Sequence, residues 1–272
     1  MAFVLTKIVG KNYRRQLSSG KRSPAGVFLT ATIAPPPSAV TRNDPEIRLK
    51  DYLAALEFYL SLPAEDVDRL LFVDNSNFDL SPLARFVDDR VTDKAVELIS
   101  FNGNDHPVGY GKAYGEFRLM DFGIEQSQLL AEEDVFWKIT GRLKFANLPE
   151  MIAAAPRHYD VLCDLHNFPI IGTGKIFANR WMDLRAFSCS VKAYRILFAG
   201  KYQRFGPRMN QDILYDIVMY PSTSMDIQPR FPIQPIIDGV SGRHDRHYHR
   251  RFQQLKTTIR AGTRKFIPRF WV

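Results

Sequence analysis

The chain has 272 residues, of which 45 % are hydrophobic, and it carries a formal net charge of +8. This composition is enough for one large or two modest domains and excludes an intrinsically disordered protein. No uncharged apolar run approaches the roughly 18 residues of a membrane-spanning helix, and the first residues lack the pattern of a secretory signal, so we expect a cytoplasmic protein. The positive charge favours an acidic partner, which composition leaves open between nucleic acid, an anionic membrane and a phosphorylated substrate.

Two cysteines, Cys163 and Cys189, are too few for a disulfide framework and lack the spacing of zinc ligands. We expect both to be buried thiols. Residues 1–24 are basic and contain Ser and Gly, which predicts a loosely packed lead-in with a short strand or helix at 3–9.

From residue 25 onward, β-branched apolar runs alternate with amphipathic segments. The predicted strands are 26–33, 69–76, 95–101 and one that begins at Val135, followed later by 159–164, 175–179 and 186–191. The predicted helices are 45–62, 83–89, 117–130, 148–155 and 210–218. This alternation predicts an α/β fold, with a mostly parallel Rossmann-like sheet flanked by helices on both faces. We divide the chain into the lead-in (1–24), one domain with two halves (25–147 and 148–228) and a basic C-terminal segment (229–272).

A cluster of glycines and charged residues marks the loop before the fourth predicted strand and the end of that strand. The residues are Gly109, Gly111, Lys112, Glu116, Lys138, Gly141 and Arg142. Open α/β sheets bind ligands at the carboxyl ends of their strands, and cations with exposed backbone N–H groups suit phosphate. The sequence therefore predicts an anion site at this edge, while a flexible loop with a solvated lysine is the alternative.

Four pieces of the chain together resemble a GT-A-type glycosyltransferase of the kind that builds bacterial capsule or lipopolysaccharide glycans. They are LTATI at 29–33, FVDNS at 72–76, GYGKAYGE at 109–116 and KITGRLKFAN at 138–147. The resemblance implies a GT-A-like catalytic domain at 25–228, with a nucleotide-sugar half (25–147) and an acceptor half (148–228). It also implies a nucleotide-sugar donor at the glycine loop and a divalent metal held by an Asp-x-Asp motif after the fourth strand. Here Thr140-Gly141-Arg142 stands in the place of that motif.

This departure predicts transfer without a metal cofactor. A guanidinium binds phosphate oxygens and repels Mg²⁺ at close range, so Arg142 with Lys138 or Lys112 would neutralise the departing diphosphate. Asp160 and Asp164, the latter close to His166, remain a fallback site for Mn²⁺ or Mg²⁺.

The resemblance also assigns roles to polar residues at other predicted strand ends and helix starts. Thr30, Thr32, Asp74 and Asn75 would bind the base and ribose, and ordinary strand-end capping is the alternative. The first candidate for the catalytic base is Asp212 and the second is Asp183, although either would serve equally as a helix cap or as an ion-pair partner of Arg185 or Arg208. Trp181 and Arg185 are the candidates for acceptor binding, against a core role for the tryptophan.

The leading functional hypothesis is a glycosyltransferase acting on a glycan or lipid-linked acceptor in bacterial surface polysaccharide synthesis. In that hypothesis the basic amphipathic segment 243–272 lies on an anionic membrane surface, and the alternative is a helix packed on its own domain. A nucleic-acid-binding protein is the second hypothesis, weakened because the basic residues lie at the termini, and we expect no nucleic-acid partner. A nucleotidyltransferase is the third hypothesis, and it requires paired aspartates that the sequence does not place together.

Overall fold

The structure is a computed structural model that describes residues 3–8, 23–37, 40–107, 109–172, 175–241, 246–247 and 262. The helices are α1 (Pro45–Ser61), α2 (Ser81–Asp88), α3 (Lys112–Gln126), α4 (Leu148–Ala154), α5 (Val191–Leu197), α6 (Lys201–Phe205) and α7 (Gln211–Met219). The strands are β1 (Phe3–Ile8), β2 (Ala25–Ala31), β3 (Val67–Asp74), β4 (Ala95–Ser100), β5 (Val135–Thr140), β6 (Lys144–Phe145), β7 (Val161–Leu162), β8 (Leu165–Gly172), β9 (Lys175–Met182), β10 (Ala186–Ser190), β11 (Ile227–Gln228), β12 (Ile237–Asp238), β13 (Val240–Ser241) and β14 (Arg246–His247).

Eight of these strands form one sheet in the order β1-β4-β3-β2-β5-β10-β7-β11. The four central strands β4, β3, β2 and β5 are parallel, and α1, α2 and α3 connect them in turn. Both β1 and β10 run antiparallel to their neighbours. The mostly parallel, Rossmann-like α/β sheet expected from the sequence is confirmed.

Successive residues of the central strands point to opposite faces and enter two separate cores. In β2, Leu29 packs in the core that contains Tyr52 of α1, whereas Phe28 packs in the core that contains Phe117 of α3. Both faces of the central strands are therefore covered, which explains why these strands read as nearly continuous apolar runs. The two-residue period also places Lys138, two residues after Phe136, on the α3 face of the sheet.

Three segments that the sequence analysis set apart from the predicted catalytic domain have different outcomes. Residues 3–8 form β1, which pairs with β4 at the edge of the sheet. Beyond residue 228, Phe231 is buried in the core and β12 pairs with β6, so residues 229–241 are attached to the main unit. Most of segment 243–272 lies outside the described residues, and its membrane role stays a prediction.

Two further expectations concern the cysteines and membrane spans. Cys163 and Cys189 are both free and buried, which confirms that part of the sequence analysis. Among the helices of the described ranges, none combines the length and the apolar character that crossing a bilayer requires.

Candidate functional site

The carboxyl ends of β2 and β5 form the point at which the chain connections diverge across the sheet. From β2 the chain proceeds to β3 and β4 on one side, and it returns to β5 on the other. Thr30 of β2 pairs in register with Thr140 of β5, and the antiparallel β10 begins at the same edge, with Ala186 opposite Ile139. This divergence creates the crevice in which α/β proteins bind their ligands.

Beneath this edge lies a buried ion pair between α3 and β5. Glu116 of α3 contacts the ammonium group of Lys138 and also accepts a hydrogen bond from Thr30 Oγ1 at 2.7 Å. The side chains of Glu116 and Lys138 are 8 % and 0 % exposed, and the Lys138 ammonium also donates to the Leu184 carbonyl. Lys138 is therefore fully used inside the protein, and its predicted role as a donor-binding cation is wrong.

The two partners of this pair respond differently to burial. Burial opposes ionisation of Glu116, but the ammonium groups of Lys138 and Lys112 outweigh it and lower the pKa of the carboxyl group to about 2. Burial lowers the pKa of the Lys138 ammonium, and Glu116 opposes that change. The pair is a permanent charged anchor that fixes α3 against β2 and β5.

Lys112 is the accessible cation of the predicted cluster. Its side chain is 61 % exposed, and its Nζ lies 3.9 Å from Glu116 Oε2. It is the first residue of α3, whose N-cap Gly111 provides no side-chain hydrogen bond and whose first turn holds no acidic residue. The positive end of the helix dipole thus lies beside a solvated ammonium, an arrangement that attracts anions.

Gly141 and Arg142 occupy the place of the absent Asp-x-Asp motif, and both donate hydrogen bonds within the protein. The Gly141 N–H donates to the Thr30 carbonyl at 2.8 Å, and a Cβ on Gly141 would lie 2.9 Å from that oxygen. This glycine serves the close approach of two strand ends. Arg142 Nε donates to the Val240 carbonyl at 3.0 Å, which directs this part of the guanidinium toward β13. Neither of the two cavities described below is lined by Arg142 or Lys112.

The polar residues after β2 and β3 hold their own loops. The buried Asp74 carboxylate accepts hydrogen bonds from the backbone N–H groups of Ile33, Ser76 and Phe78 at 2.7, 2.9 and 3.2 Å. Burial raises the pKa of Asp74 in spite of these donors. With its carboxylate used in this way, Asp74 organises the loops, and the predicted ribose contact is wrong for this residue. Thr32 Oγ1 donates to Asn75 Oδ1 at 2.7 Å. This hydrogen bond is the ordinary strand-end capping that the sequence left open as the alternative to binding of the base and ribose.

Two carboxylates and one imidazole meet at the neighbouring strand ends. Asp164 follows β7, Asp183 precedes β10, and the ligating atoms of Asp164, His166 and Asp183 all lie within 4.8 Å of one another. The Asp183 N–H donates to the Asp164 carbonyl at 2.9 Å, which joins the two loops. The proximity of Asp164 to His166 was expected from the sequence. Asp160, the other residue of the predicted fallback site, precedes the two-residue strand β7 and accepts a hydrogen bond from the Asp226 N–H at 2.8 Å. Asp160 is not part of this cluster, and the Asp160–Asp164 metal site stays a prediction.

The cluster fits a divalent cation by donor type and by spacing, because carboxylate and imidazole suit Mn²⁺ and similar ions. Its charge is already partly balanced. The Arg185 guanidinium contacts both oxygens of Asp183 and, against the effect of burial, holds the pKa of that carboxyl group well below its usual range. An ionised carboxylate that is tied to arginine is a weak base, so Asp183 does not suit its predicted role as second-choice catalytic base.

The candidates for acceptor binding are only partly accessible. The Trp181 ring stacks on the His166 ring with centroids 3.9 Å apart and planes 7° apart, so one face of the tryptophan is covered. The Arg185 side chain is 25 % exposed and committed to Asp183. Asp212 is exposed in the first turn of α7, where Asn210 and not Asp212 forms the N-cap.

Asp212 lines a cavity of about 140 Å³ together with Asn179, Arg180 and Asp216. Gln211, its chain neighbour, donates from Nε2 to the Met182 carbonyl at 3.1 Å, which ties the start of α7 to the Asp183 loop. Asp212 therefore stands near the strand-end edge as an accessible carboxylate, and its assignment as catalytic base stays a prediction.

Two features of this edge escaped the sequence analysis. The Thr140 hydroxyl is buried and has no hydrogen-bond partner in the described residues, which is unusual for a buried polar atom. The second feature is the meeting of Asp164 with Asp183. In the sequence, the position of each aspartate next to a predicted strand was the feature that could have indicated this meeting. The antiparallel placement of β10 beside β7, which the sequence does not indicate, is what brings those strand ends together.

No known protein family matches the chain, and no curated protein matches it significantly. Solved structures of similar fold include the inositol-1-phosphate CTP transferase from T. maritima, at 15 % identity over 89 % of this chain and 98 % of that one, with a TM-score of 0.48. They also include a protein from Bacillus anthracis described as a glucose-1-phosphate thymidylyltransferase, at 9 % identity, 88 % and 95 % coverage and TM-score 0.46. HddC from Yersinia pseudotuberculosis is similar at 10 % identity, 86 % and 97 % coverage and TM-score 0.40.

The activities named for these similar structures are CTP and thymidylyl transfer. The glycosyltransferase type expected from the sequence is therefore not confirmed by them. At these identities and TM-scores the likeness gives no information on the activity of this chain.

Proposed function

We propose that this protein is a transferase that takes a sugar from a nucleotide-activated donor, that is, a glycosyltransferase. The observation that carries the proposal is the combination found at the β2–β5 edge. There the uncapped start of α3, with Lys112 as its first residue, is anchored by the buried Glu116–Lys138 pair. An anion-attracting helix end held rigidly at the ligand-binding edge of an α/β sheet suits the diphosphate of a nucleotide sugar.

In this proposal the donor diphosphate binds at the amino terminus of α3, and Lys112 neutralises the charge that develops as it leaves. Asp212 takes the proton of the acceptor hydroxyl, since it is an accessible carboxylate whose chain neighbour Gln211 is tied to the Asp183 loop. The chain has no Asp-x-Asp motif after β5, so the transfer proceeds without a metal at that position.

We place the reaction in bacterial surface polysaccharide synthesis, on a glycan or lipid-linked acceptor. The resemblance of the four motifs supports this setting. The basic residues of 243–272 support attachment to the anionic inner face of the plasma membrane from the cytoplasm.

A thermal-shift panel of UDP, GDP, CDP, CMP and dTDP tests the donor site, because a ligand that binds the folded state raises the melting temperature by mass action. We expect one nucleoside diphosphate to stabilise the protein equally with Mn²⁺ and with EDTA. Stabilisation that EDTA abolishes would contradict the metal-free proposal. Stabilisation by DNA or RNA alone would favour a nucleic-acid-binding protein.

A specific observation favours nucleotidyl transfer as a second candidate. Asp164 and Asp183 do lie together, which is the condition that the sequence analysis regarded as unmet for this class. In that reaction a nucleoside triphosphate and a sugar 1-phosphate give a nucleotide sugar and pyrophosphate, and the Asp164–His166–Asp183 cluster would hold the divalent cation.

The two candidates release different products, so one assay separates them. Glycosyl transfer consumes a nucleotide sugar and releases the nucleoside phosphate, without pyrophosphate. Nucleotidyl transfer releases pyrophosphate from the triphosphate and requires the divalent cation. Pyrophosphate release that is lost in Asp164→Asn, with an unchanged melting temperature, would establish the second candidate.

A further inference from the structure

On the far side of α3 lies an open cavity of about 390 Å³, between the loop after β4 and α6. Successive helical residues turn by about 100°, so Tyr114 and Glu116 of α3 face roughly opposite directions, whereas Tyr114 and Arg118 share a face. Glu116 points to the β2–β5 edge, and Tyr114 and Arg118 line the cavity. This cavity is therefore distinct from the candidate donor site, and its size is within the range of ~300–1,000 Å³ of small-molecule pockets.

Four aromatic rings form one wall of the cavity. Tyr114 makes edge-to-face contacts with Tyr110 at 4.6 Å and with Tyr202 at 5.1 Å between ring centroids, and it lies 5.1 Å from the His106 ring. Each of these rings is partly exposed, in contrast to the fully buried Phe117 on the same helix. Partly exposed tyrosines that pack on one another present flat apolar faces with a polar edge.

Two planar charged groups complete the lining. Arg118 forms an ion pair with Asp105, and the two side chains are 23 % and 54 % exposed. The carboxylate accepts hydrogen bonds and the guanidinium donates several in one plane, so the pair offers both kinds of partner to neighbouring hydroxyl groups. Their contact fixes both groups at the cavity without a net charge.

We propose that this cavity is a binding site for a neutral saccharide, separate from the nucleotide site. Each pyranose ring has apolar C–H faces that suit the tyrosine faces and equatorial hydroxyls that suit the Asp105–Arg118 pair. A cationic ligand fits less well, because Arg118 balances the carboxylate and repels a second cation. A nucleobase also fits less well, because Tyr110 and Tyr202 meet the Tyr114 ring at 83° and 79° and neither forms a parallel stacking slot with Tyr114.

Saturation-transfer NMR on the full chain tests the proposal with glucose, galactose, mannose and N-acetylglucosamine, and with uridine and tetramethylammonium as the competing probes. We expect at least one saccharide to bind with a dissociation constant of about 1 mM. Tyr202→Ala should raise that constant about tenfold, and Tyr202→Phe, which keeps the ring, should leave it within about twofold. Binding of uridine or tetramethylammonium in place of every saccharide would overturn the proposal.

The structural integrity of the variants is checked by their melting temperatures. If Tyr202→Ala does not fold, Asp105→Asn at the more exposed side of the ion pair takes its place, and the same weakening is expected. Saccharide affinity that is unchanged in folded Tyr202→Ala or in folded Asp105→Asn would overturn the proposal. The stabilisation by nucleoside diphosphate should persist in each folded variant, so failure of this site and failure of the proposed transferase function give different results.

Discussion

At the scale of single residues, the Glu116–Lys138 pair is the most consequential interaction of the molecule. A buried ion pair gains little over a well-packed apolar pair, but the loss of one partner leaves a charge without compensation in a medium of low polarity. The Leu184 carbonyl would remain the other hydrogen-bond acceptor for Lys138. The stability of the edge therefore depends on both charges being present or both being absent.

Glu116→Gln should lower the free energy of unfolding by about 3–5 kcal/mol, because it leaves the Lys138 ammonium buried without its carboxylate. In Glu116→Gln/Lys138→Met both charges are absent, and most of the loss should be recovered. The measurement is urea unfolding of each variant. Glu132→Gln is the control, since Glu132 pairs with Arg195 at 3.4 Å on the surface and should cost under about 1 kcal/mol. Equal losses in the single and double variants would contradict this account.

Lys112→Ala should raise the dissociation constant of the nucleoside diphosphate identified by thermal shift about tenfold, because the variant removes the accessible cation at the start of α3. The measurement is isothermal titration calorimetry. Lys192 provides a matched control, with a side chain 59 % exposed and Nζ 3.9 Å from Glu133. An equal effect of Lys192→Ala would show that Lys112 acts only through net charge.

The sequence identified the types of residue at the edge but not their directions. Lys138 was interpreted as accessible because it follows an apolar run and precedes a glycine, yet its partner Glu116 lies on a helix 22 positions earlier. Only the packing of α3 on β5 brings them together. For Arg142, the acceptor is the Val240 carbonyl, 98 positions away in the chain. Spacing along a sequence contains no information on such contacts.

At the scale of elements, α3 is the helix on which both candidate sites depend, since one face holds the β2–β5 edge and the other lines the aromatic cavity. Its position is set by a close approach at Gly123. A Cβ there would lie 2.6 Å from Phe28 Cζ and 2.8 Å from Val73 Cγ2. The absence of a side chain lets the helix lie directly on β2 and β3.

Gly123→Ala should therefore destabilise the protein by about 1–3 kcal/mol through overpacking, although alanine favours helix formation. Gly115→Ala, in the same helix, is the matched control. Its Cβ would meet His106 Cε1 at 3.4 Å, an ordinary contact, so the gain in helix propensity of up to about 1 kcal/mol should prevail. Thermal and urea unfolding measure whether each substitution lowers or raises the stability of the protein. Destabilisation of equal size in both variants would contradict the close-approach account.

The elements themselves were largely predictable, and their pairing was not. Strands β2 to β5 and the helices between them follow from apolar runs and helical spacing, because burial on both faces produces a continuous apolar signal. The segments at 175–179 and 186–191 were also predicted as strands. Nothing in their composition indicated that β10 runs antiparallel beside β5, and this reversal is what brings Asp183 to the ligand edge.

At the scale of the whole molecule, the charged groups under the edge should shape the dependence of stability on pH. The pKa of Glu116 in the folded protein is about 2, below its ordinary value of 4.5, and the pKa of Asp183 is lowered as well. A depressed carboxyl pKa contributes stability that is fully present above the ordinary value and is lost as the pH falls through the folded-state value. Burial raises the pKa of Asp74 and Asp121, so the ionisation of these two groups lowers the free energy of unfolding as the pH rises.

We therefore expect the free energy of unfolding to fall steeply between about pH 4.5 and pH 2, with about 3 kcal/mol of the loss contributed by Glu116. Urea unfolding at intervals across this range measures the slope. In Glu116→Gln/Lys138→Met the group that takes up the proton is absent, so the slope should be reduced by that contribution. Glu132→Gln should keep the wild-type slope, because its carboxylate is exposed and paired only at the surface. If the free energy of unfolding falls equally with pH in the wild type and in the double variant between about pH 4.5 and pH 2, the proton taken up during acid unfolding does not bind at Glu116.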